Sequence, residues 1–324
     1  MPLSLYSGNG SGDLKQNPFQ STIDLGGDEP VRFHNLRIQG AYERHRSSRN
    51  AEFKNQILAP SFRGWQIDQI LHDLTEAKDN SQEGLIDPRN NLAFVVRPPR
   101  HVRALISEIQ QELHAVARTL WLMPSEQLHL TVLEIASAKS VAEIDALLLL
   151  LSQRTSLTEI VNFTQTHRAR LIRPLLTFDS SGIALSFVPG AGDVADAVHD
   201  DRYTYHHLRR DLYATVARRN FPVTARYIAP SAHVTIARFI TQDGFVAQEP
   251  GTGQSVVDRE NVGLLVRTIS EINQKLMSRY WTIEDQKRAA LCEWIVGQEK
   301  GLELIKGRSW YGKGEKVLVG QGFP

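Results

Sequence analysis

The sequence is short of cysteine, of net charge and of long apolar runs, and each shortage removes a class of protein. A single cysteine, Cys292, stands among 324 residues. One thiol closes no internal disulfide and builds no zinc site, and its setting in "AALCEWIV" reads as core. The longest apolar stretch, "IDALLLLL", is too short to cross a bilayer. The opening "MPLSLYSGNGSGDLK" lacks the basic start and apolar centre of a signal peptide. The sequons at Asn9 and Asn162 therefore read as chance matches, and a cytosolic or nuclear location with no membrane partner is expected. Net charge is nearly absent: 37 Lys and Arg against 36 Asp and Glu give +1. That provides no broad basic surface for long duplex nucleic acid. A local pocket for a small or single-stranded phosphorylated ligand is compatible with it.

What is present suits a soluble globular chain, with 41% hydrophobic and 23% charged residues. Residues 1 to about 30, rich in Gly, Ser, Asn and Asp, read as a mobile leader. "GAYERHRSSRNAEFKNQIL" reads as a charged helix ended by Pro60, and "GWQIDQILHDLTEA" as a second helix. A denser order follows. "NLAFVV" is a buried strand, and "RPPRHVRALISEIQQELHAVART" a helix with Val102, Leu105, Ile106, Ile109, Leu113 and Val116 on one face. "LWLMP" and "EQLHLTVLEIA" are strands, "SVAEIDALLLLLSQ" is a helix capped by Ser140, and "RARLIRPLLTFDSSGIALSFVP" is a hairpin turning at "DSSG". A similar order returns: a helix in "DRYTYHHLRRDLYATVARR", a strand in "SAHVTIARFI", a helix in "RENVGLLVRTISEINQKLMSRY", and strands in "AALCEWIVGQ", "GLELIKG" and "KVLVGQG". Two loosely matching halves imply an α+β class with mostly antiparallel sheets backed by helices.

The chemistry gathers at two short matches. "LHLTV" places His129 and Thr131 two apart in a strand, hence on one face, with Leu128, Leu130 and Val132 on the other. "AHVTI" repeats the spacing with His233 and Thr235, 104 positions on. One such match is weak evidence; two, equivalently placed in similar halves, are much stronger. Two imidazoles on opposite sides of a phosphorus can serve as base and acid near neutral pH, and the two hydroxyls can donate to its oxygens. Which histidine takes which role is open at this level, and no metal is required.

These motifs resemble those of the 2H phosphoesterase superfamily, which two His-x-Thr/Ser motifs define. "LAFVVRPPRHVRALISEIQ" and "LWLMPSEQLHLTVLEI" are similar to its opening strand, helix, strand and first motif, and "HVTIAR" to its second. "YERHRSSRNAEFK" and "SFRGWQIDQIL" look like a fungal RNA ligase/cyclic phosphodiesterase-like branch. The resemblance covers about residues 35 to 324. It implies a bilobal fold over residues 86–324, two mostly antiparallel sheets facing across a cleft with helices outside, behind a leader and helical extension over residues 1–85. It implies His129, Thr131, His233 and Thr235 as a catalytic tetrad for metal-independent, cofactor-free hydrolysis of a 2′,3′-cyclic phosphate on a nucleotide or RNA end, by a monomer. The alternatives keep the tetrad and change the substrate (RNA 3′-end trimming, a 2′,5′ bond, ADP-ribose cyclic phosphate), or make the chain a binding module for RNA ends. Intact histidines in both motifs argue against the module, and no lysine-centred nucleotidyl-transfer motif supports ligation.

Other residues carry two readings each. Arg238 matches a His-x-Thr-x-x-Arg pattern and is either a phosphate contact or a structural ion-pair partner; strand alternation puts it opposite His233 unless the strand bulges. Trp310 and Tyr311, in "SWYGKG", either stack on a base or pack at an edge. Tyr203 and Tyr205 at a helix start are weaker candidates. His206 and His207 read as packing residues. His45 and Arg46 read as a solvated helix face, unless the leader helix lies along the cleft and offers Tyr42, Arg46 or Arg49 to the ligand. The glycine patterns "SGNGSG" and "PGAGD" lack the context of a nucleotide-binding loop.

Overall fold

The computed structural model describes residues 17–24, 30–79, 87–192, 201–224, 228–249, 253–281, 292–308 and 314–324. Among them the elements run α1 (Gln20–Asp24), α2 (Val31–Leu58), α3 (Gln69–Asp79), β1 (Asn90–Val96), α4 (Arg100–Val116), β2 (Leu120–Leu122), β3 (Leu130–Lys139), α5 (Val141–Arg154), α6 (Leu157–Val161), β4 (Arg170–Phe178), β5 (Gly182–Pro189), α7 (Tyr205–Val216), β6 (Ala232–Phe239), β7 (Val246–Gln248), β8 (Ser255–Val257), α8 (Arg259–Tyr280), β9 (Trp294–Ile295), β10 (Lys300–Gly307) and β11 (Glu315–Gln321).

The mixed α+β class is as expected. Nine strands form one antiparallel sheet in the order β11-β10-β1-β3-β6-β5-β4-β9, with β2 on β6. The halves expected as two sheets are thus hydrogen-bonded into one path, joined through the single strand pair Leu130–Val234. Beyond that pair β3 and β6 part, and α7 fills the gap. Tyr205 Oη donates to the Thr131 carbonyl at 3.3 Å, and Arg209 donates to the carbonyls of Val132 at 3.2 Å and Ala229 at 2.7 Å.

Local chemistry explains most of the elements. Ser140 caps α5 in a reciprocal capping box with Glu143, and Asp258 caps α8 by accepting from Glu260 and Asn261 N–H. The β4–β5 turn closes on Asp179, whose Oδ1 accepts from the N–H groups of Ser181 and Gly182 and from Ser181 Oγ. The predicted face of α4 packs into the core, with Val102, Leu105, Ile106, Ile109 and Leu113 buried.

The N-terminal part departs from expectation. Composition predicts a leader mobile to about residue 30, yet Phe19 is fully buried and Asn17 donates to the Arg210 carbonyl. α2 begins nine residues before Gly40, the start that the sequence pattern predicts, and is not a solvated helix. Asn35, Ile38, Gln39, Tyr42, Arg46, Phe53 and Ile57 are buried. Much of that face is polar, because its side chains bond backbone carbonyls instead of filling oil: Gln39 meets Pro189, Arg46 meets Arg173 and Asn50 meets Leu176. Trp65 lies in an extended segment ahead of α3, stacked on Phe239 at 3.8 Å. Two short strands, β7 and β8, have no counterpart in the sequence pattern, and in "AALCEWIVGQ" the strand is limited to Trp294–Ile295 among the described residues.

Candidate active site

The register at the junction brings the four motif residues together. Leu130 faces Val234 in an antiparallel pair, so Thr131 and His233 flank that pair at one end and His129 and Thr235 at the other. Residues directly opposite share a face. The four polar side chains therefore project from one face of the sheet, related by an approximate two-fold through the Leu130–Val234 pair. Burial alternates as this requires. Leu128, Leu130, Val132, Val234 and Ile236 are buried, while His129, Thr131, His233 and Thr235 are half-buried.

The two-fold extends to a backbone irregularity. In β3, Val95 pairs with Thr131 but Phe94 with Leu133, leaving Val132 as an extra residue. In β6, Ala184 pairs with Thr235 but Ile183 with Ala237, leaving Ile236 extra. Each bulge comes directly after the threonine of its motif, and each reverses the alternation that follows. Arg238 is thereby returned to the face of His233, paired across from Gly182. Its counterpart in β3 is Glu134, across from Ala93. Unbroken alternation would have put Arg238 on the opposite face.

The two histidines are held differently. His129 Nδ1–H donates to the Gln127 carbonyl at 2.8 Å; since a carbonyl only accepts, the proton of the neutral ring is on Nδ1 and Nε2 carries the lone pair. Arg97 Nη1 donates to the carbonyls of Glu126, Gln127 and Leu128 at 3.4, 3.2 and 3.3 Å, pinning the turn that precedes His129, and its Nε donates to Glu303 at 2.7 Å. Glu303 is 1% exposed. His233 Nδ1 lies 3.3 Å from Ser231 Oγ. Each imidazole is thus braced by the residue two before it.

Electrostatics separate the halves further. Burial pushes the pKa of His129 down to about 4; the Gln127 carbonyl and Glu303 oppose this, and Arg97 adds to it. Burial pushes His233 down to about 3, and Arg238, His129, Arg209 and His45 all add in the same direction. Arg238 itself is 3% exposed, donates to Ser181 Oγ at 3.3 Å and lies beside Asp179, so the β4–β5 turn anchors it.

The other sequence candidates fall elsewhere. Tyr203 donates to Asp211 Oδ2 at 3.0 Å, with its ring against His167 and His207. Trp310 and Tyr311 lie outside the described residues. Tyr42 is buried and donates to His206 Nδ1 at 3.0 Å, and His206 Nε2–H donates to the Phe19 carbonyl at 2.8 Å. That makes His206 a strut between leader, α2 and α7. Arg46 bonds Glu43 and two strand carbonyls. Arg97 and Glu303 escape a reading of the sequence, although Arg97 stands two residues past Val95, just beyond the end of β1, the strand next to the first motif. Among the described residues no group of three or more His, Cys, Asp or Glu side chains is placed to hold a metal ion, and no helix is long and apolar enough to cross a membrane.

No protein-family model and no curated protein matches the chain. Solved structures similar in part include the following three. TT0787 of Thermus thermophilus is 16% identical with a TM-score of 0.36, over 71% of this chain and 97% of its own. The conserved protein ATU0111 of Agrobacterium tumefaciens, of unknown function, is 14% identical with a TM-score of 0.43, over 73% and 88%. Usb1 of Kluyveromyces marxianus, solved with uridine monophosphate, is 13% identical with a TM-score of 0.35, over 72% and 98%. At TM-scores below 0.5 these likenesses decide neither fold nor function, and the reading of the site rests on its own geometry.

Proposed function

We propose that the chain is a 2H phosphoesterase that hydrolyses 2′,3′-cyclic phosphates of nucleotides or RNA ends without a metal. The observation that carries this is the Leu130–Val234 register, which sets two His/Thr pairs on one face about a two-fold. A phosphate centred over that pair has an imidazole on either side, as in-line displacement needs, and a hydroxyl beside each. The single sheet serves as two lobes hinged at this pair, with the phosphate over the hinge.

We read the roles from the surroundings. His233 is ringed by cations and is the poorer holder of a proton, so it acts as base: its Nε2 takes a proton from water as the oxygen attacks phosphorus. His129, with a carbonyl on Nδ1 and Glu303 nearby, is the better holder and acts as acid. It gives its Nε2 proton to the ribose oxygen as the P–O bond breaks, leaving a phosphomonoester and a free hydroxyl. Thr131 and Thr235 donate to the non-bridging oxygens as charge grows there. In the empty site both rings are neutral at pH 7; the anionic phosphate pushes both pKa values back up, so that His129 takes up a proton from solvent as substrate binds. Arg238 acts through its charge on His233 from an anchored position.

The test is product analysis on a panel of nucleoside 2′,3′-cyclic phosphates in excess EDTA, with His233→Ala as control. Turnover to monophosphates by the wild type but not the variant is expected. Loss of wild-type activity on chelation would overturn the metal-free mechanism.

A further inference from the structure

The N-terminal helix has a position the tetrad does not account for. α2 touches Pro189 through Gln39, Ser186 through Arg46 and, on β4 beside Leu185 and Ile183, Leu176 and Phe178 through Asn50. It therefore runs antiparallel to β5 and parallel to β6. Ser186 pairs with His233 and Ala184 with Thr235, on the tetrad's face, and both are buried under this helix. At 100° per residue, Gln39, Arg46 and Asn50 form the flank turned towards β4. His45 and Arg49, one turn apart, form the opposite flank, turned towards β6. By level along the helix, His45 corresponds to His233 and Arg49 to Thr235. The pull of His45 on the proton affinity of His233 fits that placement.

The charge on this flank is off-centre. The two-fold site already offers the reacting phosphate two imidazoles and two hydroxyls. Arg97 and Arg238 are engaged by Glu303 and by the Asp179–Ser181 turn. Arg49 meets the half-exposed Glu52 at 3.5 Å and lies 4.6 Å over the Phe53 ring. An arginine and a histidine, close enough for the charge of one to act on the other, thus lie on the flank of α2 turned towards the strand of His233. Phosphate is the anion whose forked geometry a guanidinium matches.

We propose that His45 and Arg49 of α2 form a subsite for a second phosphate of the substrate, so that the site prefers a cyclic phosphate carrying a neighbouring phosphate, as on an RNA end or a 5′-phosphorylated nucleotide, over a plain nucleoside cyclic phosphate. This rests on the proposed activity. It makes the N-terminal extension part of the active site.

Steady-state kinetics on uridine 2′,3′-cyclic phosphate and its 5′-phosphorylated form test it with the full chain. The wild type is expected to show a KM about tenfold lower for the 5′-phosphorylated substrate, the worth of one charge-assisted contact. Arg49→Met and His45→Gln are expected to shrink that ratio, and Arg49→Lys to restore part of it. Turnover of both substrates with equal KM, or a ratio untouched in Arg49→Met, would overturn the subsite and leave the activity standing. Turnover of neither substrate by the wild type would overturn the activity and the subsite together.

Discussion

The two halves of the sheet carry the same motif in unequal electrostatic settings. In β3 the run is His129-Leu-Thr131, a bulge at Val132, then Glu134; in β6 it is His233-Val-Thr235, a bulge at Ile236, then Arg238. His129 rests on a backbone carbonyl and feels Arg97 and Glu303 with opposite signs, whereas Arg238 and Arg209 both push His233 in one direction. A symmetric scaffold therefore holds two chemically unequal imidazoles, as a reaction needing one acid and one base demands. The backbone supplies the symmetry. The residue three after each threonine, and what packs behind it, breaks it.

The largest effect should come from removing either imidazole. His129→Ala and His233→Ala should each lower kcat by about 10³ on a cyclic phosphate, and the double variant should be little worse than either, since the two act in one step. Independent, multiplying losses would mean that the halves do not share a reaction. Next come the hydroxyls: Thr131→Val and Thr235→Val should each cost about 10² in kcat with KM nearly unchanged. A loss confined to one of them would deny the two-fold its chemical meaning.

Arg97→Met probes the β3 setting alone. It leaves the buried Glu303 with the more distant Lys316, at 3.8 Å, in place of Arg97 and frees the turn before His129. A loss of about 3 kcal/mol in urea unfolding is expected; an unchanged midpoint would mean that the pair does not hold that half together.

The pH dependence follows from the depressed histidines. With His129 at about 4 in the free protein, its protonated form falls about tenfold per pH unit above that value. kcat/KM should therefore decline across pH 6 to 8 with its maximum below 6.5, while kcat, set by the phosphate-bound form, should peak at higher pH. Coincident maxima would remove the argument that substrate charges the acid. The smallest effect is on stability. His206 is held down to about 3 and His207 to about 4, alongside the tetrad pair. Each binds a proton more readily when unfolded, so stability rises with pH between about 4 and 6.5 and levels off above. Thermal melts should show Tm falling as pH drops from 7 to 5, and less so in His206→Gln; the reverse slope would contradict the burial of these rings.

Much of this was legible because strands and caps announce themselves. Alternation exposed the polar face of both motifs, Ser140 and Glu143 marked α5, and "DSSG" marked the β4–β5 turn. The bulges were not legible, since nothing in "HLTVLE" or "HVTIAR" distinguishes an extra residue from ordinary alternation, and with them went the face of Arg238. The burial of α2 was hidden for a different reason. Its core-facing positions include Asn35, Gln39 and Arg46, whose burial depends on carbonyls offered by distant strands and by the turn before α7, so charge patterning makes a packed helix look solvated. Arg97 and Glu303 lie 206 positions apart and meet only through the β1–β10 pairing.

The central claim is that His129 and His233 grip one phosphate between them. Crystals grown with a nucleoside monophosphate or a phosphate-mimicking oxyanion test it most directly. A single anion with both Nε2 atoms about 3 Å from its oxygens, centred over Leu130 and Val234, is predicted. An anion held by one imidazole only, or seated away from this face, would contradict it.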